Sequence, residues 1–127
     1  NQERSTPCIH HDATKFNYTR YFEENNFPER IDYLQIDIDD TPRHANLLAL
    51  IQIPLQTYRF SIITIEHDYV RDFTLEKMRD AQRFILSSLG YELVINGNSE
   101  DFWIDKSYIP QENYWSLYGI GQFHAHG

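Results

Sequence analysis

Two apolar runs in this chain of 127 residues end in side chains that can move protons or hold cations. In the first, Ile31, Tyr33, Leu34, Ile36 and Ile38 run into Asp37, Asp39 and Asp40. In the second, Phe60 to Ile65 run into Glu66, His67 and Asp68. Ligands of open α/β sheets bind outside the carboxyl ends of strands, so two such endings point to one shared site. His67 is the candidate general base toward a hydroxyl substrate, because an imidazole titrates near neutrality. The plainer role for some of these acids is helix capping, by Asp40 or Thr41 before one helix and Asp72 before another.

The elements that must position these groups follow from periodicity and punctuation. Pro7 to His11 reads as a short strand. Asn17 suits the N-cap of a helix from Tyr18 to about Asn25, which Asn25-Asn26-Phe27-Pro28 stops. Ile31 to Ile38 is near-continuously apolar, which predicts a parallel strand covered on both sides. Thr41 as N-cap and Pro42 at the first helical position predict a helix whose apolar face is Leu47, Leu48, Leu50 and Ile51, ended by Pro54. Phe60 to Ile65 is the next strand. Leu75, Met78, Gln82, Ile85 and Leu89 recur at helical spacing across Asp72 to Leu89, and Gly90 suits the C-terminal cap. Tyr91 to Ile95, the turn Asn96-Gly97-Asn98 and Asp101 to Asp105 make an antiparallel return. Alternating strands and helices predict an α/β sheet with right-handed crossovers and a reversed last strand. Residues 1–7 read as a tail or linker, 8–109 as one α/β domain, and 110–127 as an aromatic, Gly-rich arm.

Composition narrows the function. The net charge is −8 and no Lys/Arg run is present, which disfavours nucleic acid as a partner. An aromatic content of 15% argues against disorder. No apolar run approaches the roughly 18 residues of a membrane span. The single cysteine, Cys8, has no partner for an internal disulfide, and a cytoplasmic location is expected. Cys8 reads as a small buried hydrophobe rather than a nucleophile. His10 and His11 would point to opposite faces of a strand and so not share an ion. His124 and His126 read as part of a solvated tail. Trp103, Tyr114, Trp115 and Tyr118 read as core or interface before a ring-stacking surface.

The order of these segments resembles FkbM-type methyltransferases. Asp32-Tyr33-Leu34-Gln35-Ile36-Asp37-Ile38-Asp39 is similar to that family's central I-D-Y-L-x-x-D-x-E/D-G strand. Asp12-Ala13-Thr14 and Phe22-Glu23-Glu24-Asn25-Asn26-Phe27-Pro28 precede it as in the family. Tyr58 to Asp68 looks like the next strand, and Leu89-Gly90-Tyr91 and Asp101-Phe102-Trp103-Ile104-Asp105 fit the same plan. The resemblance covers about residues 8 to 109. It implies a Rossmann-like class I methyltransferase sheet, present in part as about four main strands with flanking helices, the last strand antiparallel.

The resemblance also implies the cofactor S-adenosylmethionine and methyl transfer to an oxygen or nitrogen acceptor on a small molecule. It places Asp12 at the adenine amino group, Asp37 at the cofactor, and Asp37 and Asp39 in the cofactor–acceptor cleft. Acids at comparable strand ends of related Mg-dependent enzymes imply Asp39 and Asp68 as metal ligands. Two features depart from the family. The glycines are Gly90, Gly97, Gly119, Gly121 and Gly127, so no Gly-rich cofactor loop precedes the first strong strand, and Asp40 stands where the family has Gly. The chain therefore reads as the C-terminal half of the fold. Other classes compatible with the sequence are a non-catalytic module that forms homo-oligomers through an exposed sheet edge, and a small metal-dependent hydrolase, although no H-E-x-x-H motif is present.

Overall fold

The computed structural model describes residues 9–107. It is an α/β structure with one mixed sheet of four strands and flanking helices. In chain order it runs α1 (Tyr18–Glu24), β1 (Arg30–Ile36), α2 (Ala45–Gln52), β2 (Arg59–Glu66), a 3-10 turn (Phe73–Leu75), α3 (Glu76–Ser88), β3 (Tyr91–Asn96) and β4 (Glu100–Asp105).

The sheet order is β1-β2-β4-β3. β1 and β2 are parallel, with Ile36 opposite Ile65, so both strands finish at the same edge. β4 returns antiparallel to both β2 and β3. Gly97 makes that return possible, since a Cβ there would collide with the Glu100 carbonyl oxygen. Gly90 follows α3 with φ of +89°, a backbone conformation that glycine adopts at little cost.

One face of the sheet carries the main core. Phe22 from α1, Ala49 and Leu50 from α2, and Leu86 from α3 pack on Ile36, Ile63, Ile65 and Trp103. Successive β4 side chains alternate faces, so Phe102 and Ile104 form a second cluster with Ile62, Val94 and Ile95. Trp103 is thus core, as its sequence suggested, whereas Tyr114, Trp115, Tyr118, Cys8, His124 and His126 lie outside the described residues.

Several local expectations need correction. Residues 9–11 form no strand, because the chain turns at Asp12, whose carboxylate takes the Thr14 N–H and hydroxyl. β1 is not covered on both sides. It is an edge strand among the described residues and only its Ile36 is buried, whereas β2, like β4, is flanked by strands on both sides. α2 begins at Ala45 rather than at Thr41-Pro42. The Thr41-Pro42 peptide is cis, and the His44 N–H is taken by Asp40 Oδ1 at 2.5 Å. The buried face of α2 is Ala45, Asn46, Ala49 and Leu50, which leaves Ile51 59% exposed. α3 buries Met78, Gln82 and Leu86, close to the expected stripe.

Candidate functional site

β1 and β2 deliver Asp37 and Glu66 side by side, since the residues just before them are register partners. The Glu66 carboxyl lies within hydrogen-bonding reach of both Asp37 and Asp68. Desolvation by burial, then the hydrogen bond to Asp37 and the negative charges of Asp68 and Asp37, push the Glu66 carboxyl from an ordinary 4.5 to about 8. Glu66 therefore holds a proton at neutral pH beside Asp37 and Asp68. Asp68 Oδ1 is buried and has no hydrogen-bond partner among the described residues, although the Arg71 guanidinium lies 3.9 Å from it.

The loop after β1 is fixed by Asn46. Its amide oxygen accepts the Ile38 N–H at 2.9 Å, and its amide nitrogen donates to the Ile38 carbonyl at 3.1 Å. Asp37 and Asp39 flank that pinned residue. Arg43 then ties this loop to the one after β2, reaching Asp40 at 3.2 Å, Asp72 at 3.3 Å and the Thr74 hydroxyl at 2.5 Å. Asp72 caps the 3-10 turn through the Thr74 N–H, as its sequence position suggested. Hydrogen bonds to the Thr74 hydroxyl and N–H hold the Asp72 carboxyl below the usual carboxylate range, against the effect of desolvation.

The sequence-assigned residues separate into distinct environments. Asp37 and Glu66 meet, and Asp68 joins them. Asp39 is exposed, and its carbonyl takes the Thr41 N–H. Asp12 is an exposed turn residue; the Thr14 hydroxyl and N–H hold its carboxyl below the usual range. His67 has no exposed surface. A general base must reach the proton it removes, and the His67 ring is enclosed in this geometry. Among the described residues no three His, Cys, Asp or Glu side chains are grouped so as to hold a metal ion. His10 and His11 are exposed, with the His11 ring 5.2 Å from that of Phe16.

Asn46 and Arg83 gave no signal in the sequence, and Gln82 was read only as part of the α3 stripe. Asn46, Gln82 and Arg83 are polar positions on helices, and each bonds a residue outside its own helix. The Gln82 amide donates to the Glu66 carbonyl at 3.3 Å, and the Arg83 guanidinium makes two bonds, of 2.8 and 2.9 Å, to Asp101. Asp101 is fully buried. Burial works to raise its carboxyl, but the His67 ring 3.4 Å away and the hydrogen bonds from Arg83 outweigh it and hold the group below the usual range.

A concavity lies beside β1. It has a volume of about 370 Å³ and is lined by Phe16, Tyr21, Phe27, Ile31, Leu34 and other mainly apolar side chains. Comparison with protein-family models, with curated proteins and with solved structures gave no match. No described helix is long and apolar enough to cross a membrane.

Proposed function

We propose that this chain is the C-terminal half of an FkbM-type, S-adenosylmethionine-dependent methyltransferase domain, acting on a hydroxyl or amine of a small molecule. The observation that carries this reading is the meeting of Asp37, Glu66 and Asp68 at the carboxyl ends of two adjacent parallel strands. A carboxyl group that titrates near neutrality is suited to exchange a proton with an acceptor nucleophile. The antiparallel last strand agrees with the same reading.

The described residues do not by themselves fit the cofactor. The loops after β1 and β2 contain no glycine, so no backbone there approaches a ligand as a Gly-rich loop does. Asp12, the adenine candidate, already spends one carboxylate oxygen on Thr14. No methyl-transfer step is therefore assigned to these side chains; their contribution is the carboxyl cluster.

The test begins with the reading frame upstream of Asn1. A Gly-rich loop in frame, followed by saturable binding of S-adenosylhomocysteine to that longer polypeptide in calorimetry, supports the reading. A longer polypeptide that releases no heat of binding overturns it.

A second reading, a module that pairs with another copy, is favoured by the marginal place of β1 among the described residues and the apolar cavity beside it. Sedimentation at high concentration tests it, and a strictly monomeric species counts against it.

A further inference from the structure

The cavity beside β1 has no task in the methyl-transfer reading. Its volume of about 370 Å³ falls among those of small-molecule sites, about 300–1,000 Å³. The described residues that line it include no Asp, Glu, Lys or Arg. Two of its hydroxyls are already engaged. Tyr18 donates to the Ala13 carbonyl at 2.6 Å, and Tyr33 shares a hydrogen bond of 2.8 Å with the Thr64 hydroxyl. The walls are rings in two orientations. Phe22 and Phe27 stack with centroids 4.7 Å apart, and Phe16 stands edge-on to Tyr18 and Tyr21. Such a lining suits a flat apolar body.

A more polar hollow of about 310 Å³ meets this cavity at His11, Phe16 and Tyr21, which line both. Lys15, Arg20 and Glu24 also line the hollow, so two cations stand against one anion there, in a chain whose net charge is −8. Glu24 takes the Arg20 guanidinium at 2.9 Å. Lys15 is exposed and makes no ion pair among the described residues. Asp12, whose charge it offsets from a distance, is bonded instead by the Thr14 N–H and hydroxyl. The Lys15 ammonium is therefore the group at this hollow that an anion can engage.

We propose that the cavity and the hollow form one binding site for a small carboxylate with a flat apolar body, its rings among Phe16, Tyr21, Phe27, Ile31 and Leu34 and its carboxylate at Lys15. The site does not rest on the methyl-transfer reading. It gives the cavity an occupant other than a second copy of the chain.

NMR of the full chain at low salt tests it, with 2-naphthoate as probe and the neutral 2-naphthamide as its control. Saturable shifts with 2-naphthoate are expected, together with intermolecular NOEs from its ring protons to the Ile31 and Leu34 methyls. Lys15→Gln should weaken 2-naphthoate binding about fivefold, the upper range for an exposed ion pair, and Lys15→Arg should restore it. The amide should bind more weakly than the acid and respond to neither substitution. Lys15 is exposed, so both variants keep the fold. The absence of saturable shifts overturns the proposal, as do NOEs confined to other methyls. An amide that binds as tightly as the acid, or an acid affinity unchanged in Lys15→Gln, overturns it as well. NOEs between copies at the Ile31 and Leu34 methyls, in place of NOEs to the probe, would assign the cavity to self-association and overturn it too.

Discussion

The side-chain amide of Asn46 closes a two-bond ring with the backbone of Ile38, accepting its N–H and donating to its carbonyl. A helix residue thereby imitates a neighbouring strand at the point where β1 has ended. Asn46 is 2% exposed, so water cannot replace these bonds without opening the helix–loop contact. Each net bond contributes about 1 kcal/mol, and a buried group left without a partner costs about 1–3 kcal/mol. Asn46→Ala is expected to lower stability by about 2–4 kcal/mol in urea unfolding, by the same reasoning. Amide exchange at Ile38 should accelerate in the same variant.

Glu66 makes stability depend on pH in a direction opposite to that of most acids. The unfolded chain releases this proton near 4.5, whereas the folded chain holds it to about 8. Between those values the folded state binds more protons than the unfolded one, so the group's contribution to stability falls as pH rises. The loss starts above the unfolded value and is complete once the folded group has ionised. Glu66→Gln keeps the shape of the protonated form and cannot ionise. Its melting temperature should match the wild type near pH 4 and exceed it at pH 8.5, with the gap opening across the interval. A constant gap at all pH values would falsify the assignment of the proton to Glu66.

What the sequence revealed depended on how locally each feature is encoded. β2 was legible because a strand covered on both sides needs an unbroken apolar run, and Phe60 to Ile65 has one but for Ser61 and Thr64. The β3–β4 hairpin was legible because Asn96-Gly97 is a turn signal in itself. The face of α2 was not. Counting large apolar residues selects Leu48 and Ile51, yet the helix turns Ala45, Ala49 and Asn46 inward, where small side chains and a hydrogen-bonding amide fit the strand ends. Asp37 and Glu66 could be paired from their strand-end positions. The Arg83–Asp101 pair could not, since nothing local marks two charges 18 residues apart as partners.

Gly97 gives a test of the hairpin. The Cβ of any other residue would overlap the Glu100 carbonyl oxygen, so the turn must open to admit it. Opening strains the β3–β4 register that places Asp101 beside His67. Gly97→Ala is expected to cost more than about 1 kcal/mol, the usual gain of such a change where the backbone tolerates it being reversed. Urea unfolding measures the loss, and the Asp101 carboxyl resonance should move with it. An unchanged midpoint would show that the turn relaxes freely.

Arg83 and Asp101 set the largest single effect expected. Asp101 is fully buried and ionised, and its charge is met by the two-pronged guanidinium and by His67. Removing the guanidinium strands that charge, and breaking a buried pair from one side costs about 3–5 kcal/mol. Arg83→Leu should therefore approach unfolding, while Arg83→Leu with Asp101→Leu, which removes both charges, should recover part of the loss. The pH dependence separates this from simple packing. The Asp101 carboxyl is held below its usual value, so its contribution is present above the unfolded value of 3.8 and is lost as pH falls through the folded one. In Arg83→Leu the carboxyl rises, so acid protonates it at a higher pH, and the deficit relative to wild type should shrink as the solution is acidified. A deficit that stays constant from neutral pH to pH 4 would instead assign the loss to the missing side-chain volume.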